Sequence, residues 1–209
     1  MRNRETSPIS ISAILTLLGV FLVLTGYFSP WIPHRAAGLA LTGFEIAEWI
    51  KFAPEVRAGA SSLRLADFYW PPAVAAVALA LLNASTKCWR WSNWVLLALA
   101  AILSLLPFPL LEEVNSLNGI KTNWERLGLV AMGLLAAVAL RRRPTKMRGA
   151  TLTLAAGVGL VLLNTAFAAA EPIVESLYGQ LIDPGLGYNL TRGGMVVLAI
   201  AGTIQIFNG

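Results

Sequence analysis

The sequence predicts an all-α integral membrane protein, a single bundle of six transmembrane helices arranged as three hairpins. Hydrophobic residues make up 56% of the 209 residues and charged residues only 13%, whereas soluble domains carry about 25% charged residues. Several apolar stretches are long enough to cross a hydrocarbon core of about 30 Å. The cations lie between these stretches, as expected of loops that flank membrane helices.

The predicted spans are separated by turn-forming or charged residues. The first span begins after two arginines, and no small-residue cleavage site follows it. The sequence therefore predicts a retained signal anchor. The spans cover about 9–28, 68–82, 93–111, 127–140, 150–170 and 193–207. Because the second, fourth and sixth are short, their flanks must lengthen them or the bilayer must thin around them.

A basic run between the fourth and fifth spans sets the predicted orientation. Short loops rich in Lys and Arg resist translocation and stay in the cytoplasm. The run supplies the topology anchors Arg141, Arg142, Arg143, Lys146 and Arg148. Both chain termini are then cytoplasmic, and we expect the protein in the bacterial cytoplasmic membrane. The single cysteine, Cys88, falls in an inner linker and excludes an internal disulfide.

Two outer loops contain similar sequences. VNSLNG at 114–119 matches VESLYG at 174–179, and the loops end similarly at 123–128 and 189–194. Each pattern predicts a helix that continues past the membrane, ends at a glycine and re-enters behind an arginine, Arg192 in the second case. Duplication and coincidence are both open explanations.

The first outer loop contains a predicted amphipathic helix at about 43–53. Thr42 and Glu45 have the spacing of a capping box. An apolar face follows at i, i+3, i+4 and i+7, and its members are Ile46, Trp49, Ile50 and Ala53. This face either lies in the headgroup region or on its own bundle, or it docks a partner or covers a ligand cavity.

Metal and cofactor sites find little support in the sequence. His34 is the single histidine, which excludes a haem held by two histidines of this chain. His34, Glu45 and Glu48 form a conceivable zinc set. However, Glu45 has the capping role, and Glu48 can pair with Lys51. We therefore expect neither a metal nor a cofactor.

Catalytic groups are equally sparse. Glu112 and Glu113 lie near Glu125 in one outer loop, and such carboxylates can serve in acid–base chemistry. Adjacent residues on a helix do not converge, so a solvated acidic loop is the simpler interpretation. No phosphate-binding glycine loop and no Ser/His/Asp set occurs. The sequence therefore predicts a protein that is not an enzyme.

The interiors of the spans contain no ionisable side chain, which argues against an ion-coupled pump. Asn164, followed by Thr165, is the most polar candidate for an intramembrane contact. It serves either to join helices or as part of a ligand site. Small residues at Ala155, Gly157 and Gly159 predict a close helix contact on the fifth span.

These observations favour a non-catalytic, multi-pass subunit of a larger membrane assembly. Its expected partners are the lipid bilayer and other membrane subunits. Nucleic acid is not expected, because the cations lie at helix ends rather than on one face. The alternatives are a carrier, permease component or lipid-handling protein with an uncharged cavity near Asn164, and a membrane enzyme that uses outer-face carboxylates.

Overall fold

The computed structural model describes residues 10–34, 40–50, 52–59, 61, 63, 65–85, 139 and 144–208. The fold is mostly helical. Its helices are α1 (Ile11–Tyr27), α2 (Gly43–Ile50), α3 (Pro54–Arg57), α4 (Trp70–Ser85), α5 (Thr145–Tyr178) and α6 (Leu186–Asn208), with a short 3-10 helix at Leu65–Phe68. Two strands, β1 (Pro30–Ile32) and β2 (Leu41–Thr42), pair antiparallel. The predicted spans at 93–111 and 127–140 lie outside the described residues, apart from residue 139.

In the part of the chain that the structure describes, two helices are long and apolar enough to cross a membrane: α5 with 34 residues and α6 with 23. They correspond to the fifth and sixth predicted spans. The first predicted span is the 17-residue helix α1 and the second is α4, and both are shorter apolar helices. At 1.5 Å per residue, α1 measures about 25 Å.

Local signals account for several helix ends. The Ser10 side chain accepts a hydrogen bond from the backbone N–H of Ala13 and caps α1, as short hydroxyl side chains do at helix starts. Helix α5 ends at Tyr178, and Gly179 follows with φ 64°. The left-handed conformation suits a glycine, which has no Cβ to clash. The predicted stop at Gly179 is thus confirmed.

The helix that corresponds to the sixth predicted span is longer than that span. Helix α6 begins at Leu186, seven residues before the predicted position, and Arg192 lies inside it rather than ahead of it. The preceding residue, Gly185, donates its backbone N–H to the Trp31 carbonyl at 2.7 Å. With 23 residues, α6 is longer than the predicted span, which looked too short to cross a bilayer.

Among the described residues, four long helices form a ring in which α6 packs between α1 and α5, and α4 closes the opposite side. Gly149 on α5 lies against Gly202 on α6, whereas Gly159 lies against Met195, so these two helices are antiparallel. The starts of α1 and α5 and the end of α6 therefore lie together. We call this the basic end, because it includes Lys146.

Glycines allow close approach of α6 to both neighbours. Gly19 and Gly26 on α1 meet Gly194 and Gly187 on α6, seven residues apart on each helix. A Cβ placed on Gly26 would lie 2.5 Å from the backbone nitrogen of Thr191. Within a bilayer the hydrophobic effect does not drive helices together, and small residues are the ones that let two helix backbones pack closely.

The described residues between Phe28 and Tyr69 cover the opposite end of the ring, and we call them the cap. The cap holds the β1–β2 pair, α2, α3 and the 3-10 helix. The sequence predicted only helix here. Strands of three and two residues are too short to show the alternation by which strands are recognised.

Helix α2 confirms the predicted capping box. The Thr42 backbone N–H donates to Glu45 Oε2 at 2.9 Å, and the Glu45 N–H donates to Thr42 Oγ1 at 3.2 Å. The helix ends at Ile50 rather than at about residue 53. Pro54 then starts α3, in the first-turn position that suits a residue without an N–H.

Candidate functional site

Trp31 is the centre of an aromatic cluster between the cap and the helices. Its side chain is fully buried, and its indole N–H donates to the Gly26 carbonyl at 3.0 Å. Its ring lies 5.7 Å from Tyr188 and 6.4 Å from both Phe68 and Phe167, between centroids. Edge and tilted contacts at such distances are the favoured arrangements of aromatic rings. One side chain of the cap therefore joins α1, α5 and α6.

Asn164 lies at the contact between α5 and α6. Its Nδ2 donates to the Leu160 carbonyl of its own helix at 2.8 Å, and its Oδ1 accepts a 2.7 Å hydrogen bond from the Tyr188 hydroxyl. Beside it, the Phe167 and Tyr188 rings stack with centroids 4.1 Å apart. Both polar ends of the Asn164 amide therefore form hydrogen bonds within the chain, and the bond from Tyr188 links α6 to α5.

The other polar groups near this contact also have partners in the chain. The Thr165 hydroxyl donates to the Leu162 carbonyl of its own helix at 3.0 Å and is exposed. The Arg192 guanidinium carbon lies 5.3 Å from the centroid of the Tyr188 ring. This is a cation–π distance, so Arg192 extends the cluster towards the surface of α6.

The apolar face predicted on the outer-loop helix lies mostly inside the protein. Ile46 and Ile50 are fully buried and Ala53 is 3% exposed. They belong to the same cluster as Trp31, with Trp49 packed at its edge and partly exposed. In this arrangement the chain's own core covers three of the four residues, and Trp49 is the member that a partner can reach.

The three conceivable zinc ligands have other contacts. Glu45 completes the capping box, and Glu48 accepts a 2.7 Å hydrogen bond from the Tyr69 hydroxyl. The His34 ring lies 5.0 Å from the ring of Tyr178. Within the described part of the chain, no three His, Cys, Asp or Glu residues come together as a metal site.

The remaining candidates divide between described and undescribed residues. Of the basic run, Lys146 is exposed and Arg148 is half-buried, with its Nη2 3.3 Å from the Thr145 hydroxyl. The run's other three arginines, Arg141 to Arg143, lie outside the described residues. So do Cys88 and the outer-loop carboxylates Glu112, Glu113 and Glu125.

The glycine contacts of α6 were not among the predicted features, although the sequence contains a signal for them. Gly19 and Gly26 are seven residues apart, as are Gly187 and Gly194. A spacing of seven brings two residues to one face of a helix. The small-residue contact predicted on the fifth span is present at Gly159, which faces Val74 and Met195, whereas Gly157 faces open space.

Chemically, the described site joins helices: aromatic packing, one interhelical hydrogen bond and close glycine contacts hold the cap on α1, α5 and α6. Its carboxylates and amide each engage a neighbour in the same chain. Comparison of the chain with protein-family models, with curated proteins and with solved structures found no match.

Proposed function

We propose that this chain is an integral membrane protein that serves as a non-catalytic subunit of a larger membrane assembly. The proposal includes six spans in three hairpins and a location in the bacterial cytoplasmic membrane. It begins from the two helices that are long and apolar enough to cross a bilayer, α5 and α6. The role in an assembly is argued from the surface and the interior of the described helices.

The described helices present bulky apolar side chains outward. On α1, Ile11, Ile14, Leu18 and Phe21 are between 45% and 71% exposed and lie on one face at intervals of three and four residues. On α5, Leu154 and Val161 are more than 60% exposed. Contiguous apolar surface of this kind on a folded protein is typical of contact with lipid or with other subunits.

The non-catalytic role is argued from the polar side chains in the cluster, because these side chains form hydrogen bonds to other groups of the same chain. Asn164 has partners at both ends of its amide, and Glu48 accepts from Tyr69. No ionisable residue occurs between residues 149 and 170 of α5. Groups committed to structural bonds are unsuited to bind a changing ligand, since each bond would have to be broken and replaced.

The orientation follows from the position of the basic end. Lys146 and Arg148 lie there, together with the start of α1 and the end of α6, so the basic end is proposed to face the cytoplasm. A Cys88→Ser background with Leu181→Cys or Lys146→Cys tests this with a membrane-impermeant maleimide. Leu181 is 89% exposed beside the cap. In intact cells we expect labelling at 181 and protection at 146, and the reverse pattern would overturn the orientation.

The subunit role is tested by photo-crosslinking in native membranes. A photoreactive residue at Phe21 samples the exposed face of α1, and one at Leu154 samples that of α5. Val23, which is fully buried, provides the matched control within α1. We expect at least one exposed position to form a crosslink to another polypeptide in a defined ratio. Crosslinks to lipid alone from both positions would contradict the proposal.

The carrier alternative depended on an uncharged cavity near Asn164. Since both polar ends of that side chain are bonded within the chain and Phe167 stacks on Tyr188 beside it, the described residues offer no observation in favour of a ligand there. Saturable small-molecule binding by the solitary purified protein, abolished by Asn164→Leu, would favour the carrier instead.

A further inference from the structure

The outward-facing residues of α5 change in character part of the way along the helix. Leu154, Val158 and Val161 recur at intervals of four and three residues and are exposed. The same spacing continues with Thr165 and Ala168, which are also exposed. From residue 162 to residue 176 no large apolar side chain is exposed, and the next one is Leu177 in the last turn. The outward stripe of α5 therefore loses its bulky apolar side chains after Val161.

Helices α1 and α6 show the same change. On α1, the exposed apolar positions that include Leu18 and Phe21 are followed by Thr25. On α6, Val196 is exposed on the side of the basic end, and the exposed Arg192 comes one turn nearer the cap. We call the three positions at which the stripes change, Thr25, Thr165 and Arg192, the polar band.

Contacts between the helices place the members of the polar band at nearly the same height. Gly26 of α1, next to Thr25, lies against the Thr191 backbone, next to Arg192. Asn164, next to Thr165, accepts a hydrogen bond from Tyr188, which precedes Arg192 by one turn. The three positions therefore lie within about one helical turn, or about 5 Å, of each other along the bundle axis.

The layer between the polar band and the basic end contains no charged residue among the described helices. Asp, Glu, Lys and Arg are all absent from residues 11–28, 70–85, 149–164 and 193–208. The axial distance is about 25 Å from Arg148 to Thr165 and about 24 Å from Arg192 to Asn208, at 1.5 Å per residue. A hydrocarbon core measures about 30 Å, and long side chains at both edges can make up such a difference.

Arg192 argues against a membrane surface further out, at residue 170 where the predicted fifth span ends. The backbone of Arg192 lies about 6 Å closer to the basic end than Tyr188, and Asn164 lies about 9 Å below residue 170. Arg192 would then lie about 15 Å deep, at the middle of a bilayer, where a cation is costly. Its guanidinium instead extends towards the cap, 5.3 Å from the Tyr188 ring centroid, as arginines do near an interface.

The part of α5 beyond the polar band is buried by the cap. Five of its side chains, between Ala166 and Val174, belong to the same buried cluster as Ile46 and Ile50 of the cap. Further along, Glu175 accepts a 3.0 Å hydrogen bond from the Ile182 backbone N–H. The apolar residues of this segment are thus covered by protein, and they need no bilayer to remove them from water.

We propose that the polar band meets the phospholipid headgroups of the leaflet on the cap side, so that residues 166–178 of α5 stand outside the hydrocarbon together with the cap. The inference rests on the membrane placement in the proposed function. It does not depend on what lies against the apolar stripes below the band, because lipid tails and apolar helices both occupy that depth. Arg192 is the cation that faces the phosphates, and the bond between Asn164 and Tyr188 lies at the interface.

Electron paramagnetic resonance of the full chain in phosphatidylglycerol and phosphatidylcholine vesicles tests the height of the band. Nitroxides on single cysteines in a Cys88→Ser background report collisions with a water-soluble nickel chelate. On α5 the variants are Val158→Cys, Val161→Cys, Thr165→Cys, Ala168→Cys and Ser176→Cys. On α6, Val196→Cys and Asn189→Cys form a matched pair, because both positions are exposed and they lie on opposite sides of Arg192. We expect the chelate to be excluded at 158, 161 and 196 and to reach 168, 176 and 189, with the crossover near 165.

Two outcomes would overturn the proposal, and a third would overturn its basis. Exclusion of the chelate at 168 and 189, with access only at 176, would place the membrane surface at the end of the predicted fifth span. Crossovers at different heights on α5 and α6 would refute a single band. Access at every position, together with failure of the chain to float with the vesicles in a density gradient, would refute the membrane placement itself.

Discussion

The contact between α1 and α6 gives the sharpest prediction, because two adjacent glycines of α6 differ only in what they face. A Cβ on Gly194 would lie 2.6 Å from the backbone nitrogen of Val23 and 2.9 Å from the carbonyl oxygen of Gly19. A Cβ on Gly193 would meet nothing within 4 Å. Gly194→Ala and Gly193→Ala thus make the same chemical change in the same helix, one inside the contact and one outside it.

The expected magnitudes follow from two opposing effects. Replacing a helical glycine by alanine favours the helix by about 1 kcal/mol, and this gain applies to both variants. Only Gly194→Ala also overpacks the contact, which costs about 1–3 kcal/mol. The neighbouring atoms that matter most belong to the α1 backbone and cannot rotate away. Gly194→Ala should therefore be less stable than Gly193→Ala by about 1–3 kcal/mol.

Thermal unfolding in mild detergent, followed by loss of the monodisperse peak in size-exclusion chromatography, measures this difference. For a chain of this size, 1 kcal/mol corresponds to roughly 2–4 °C in Tm. We expect Gly193→Ala at or slightly above the wild-type Tm and Gly194→Ala clearly below Gly193→Ala. Equal Tm values for the two variants would refute the close approach of α1 and α6 at this point.

Three further predictions concern the cap and the cluster beneath it. Trp31→Ala should cost about 3–5 kcal/mol of unfolding free energy, as for other buried aromatic truncations, measured as a fall in Tm; an unchanged Tm would contradict its central position. Asn164→Leu and Tyr188→Phe should each cost about 0.6 kcal/mol, with an upper value near 1.7, and a double-mutant cycle should show that the two losses do not add. Additive losses would mean that the bond between them contributes nothing. Thr42→Ala should cost about 1 kcal/mol through loss of the cap and should speed hydrogen exchange at residues 43–50, whereas unaltered exchange there would argue against the capping box as the start of α2.

Several features of the fold were predictable because they depend on neighbours in sequence. The capping box of Thr42 and Glu45, the stop of α5 before Gly179 and the apolar course of α1 each arise within a few residues of chain. The spacing of Ile46, Ile50 and Ala53 likewise identified one face of a helix. What covers that face is a different question, since an amphipathic helix packs equally well against its own core, a partner or a headgroup layer.

The hydrogen bond that precedes α6 joins segments that are distant in sequence. Helix α6 begins at Leu186, directly after Gly185, whose backbone N–H donates to the Trp31 carbonyl more than 150 residues earlier in the chain. Neither hydropathy nor capping propensity at residues 186–192 contains that information. In the same way, Asn164 was recognised as a polar group in an apolar stretch, but its partner, Tyr188, lay outside the predicted sixth span.

By itself, the sequence determined which stretches are apolar helices, how several of them start and stop, and where the cations lie between them. Only the tertiary structure decided that Gly19 and Gly26 meet α6 and that the cap packs on one end of the helices through Trp31. The physical reason is that helix formation is governed by hydrogen bonds between near neighbours along the chain. The choice of which faces meet depends instead on the shapes of surfaces that exist only after the helices have formed.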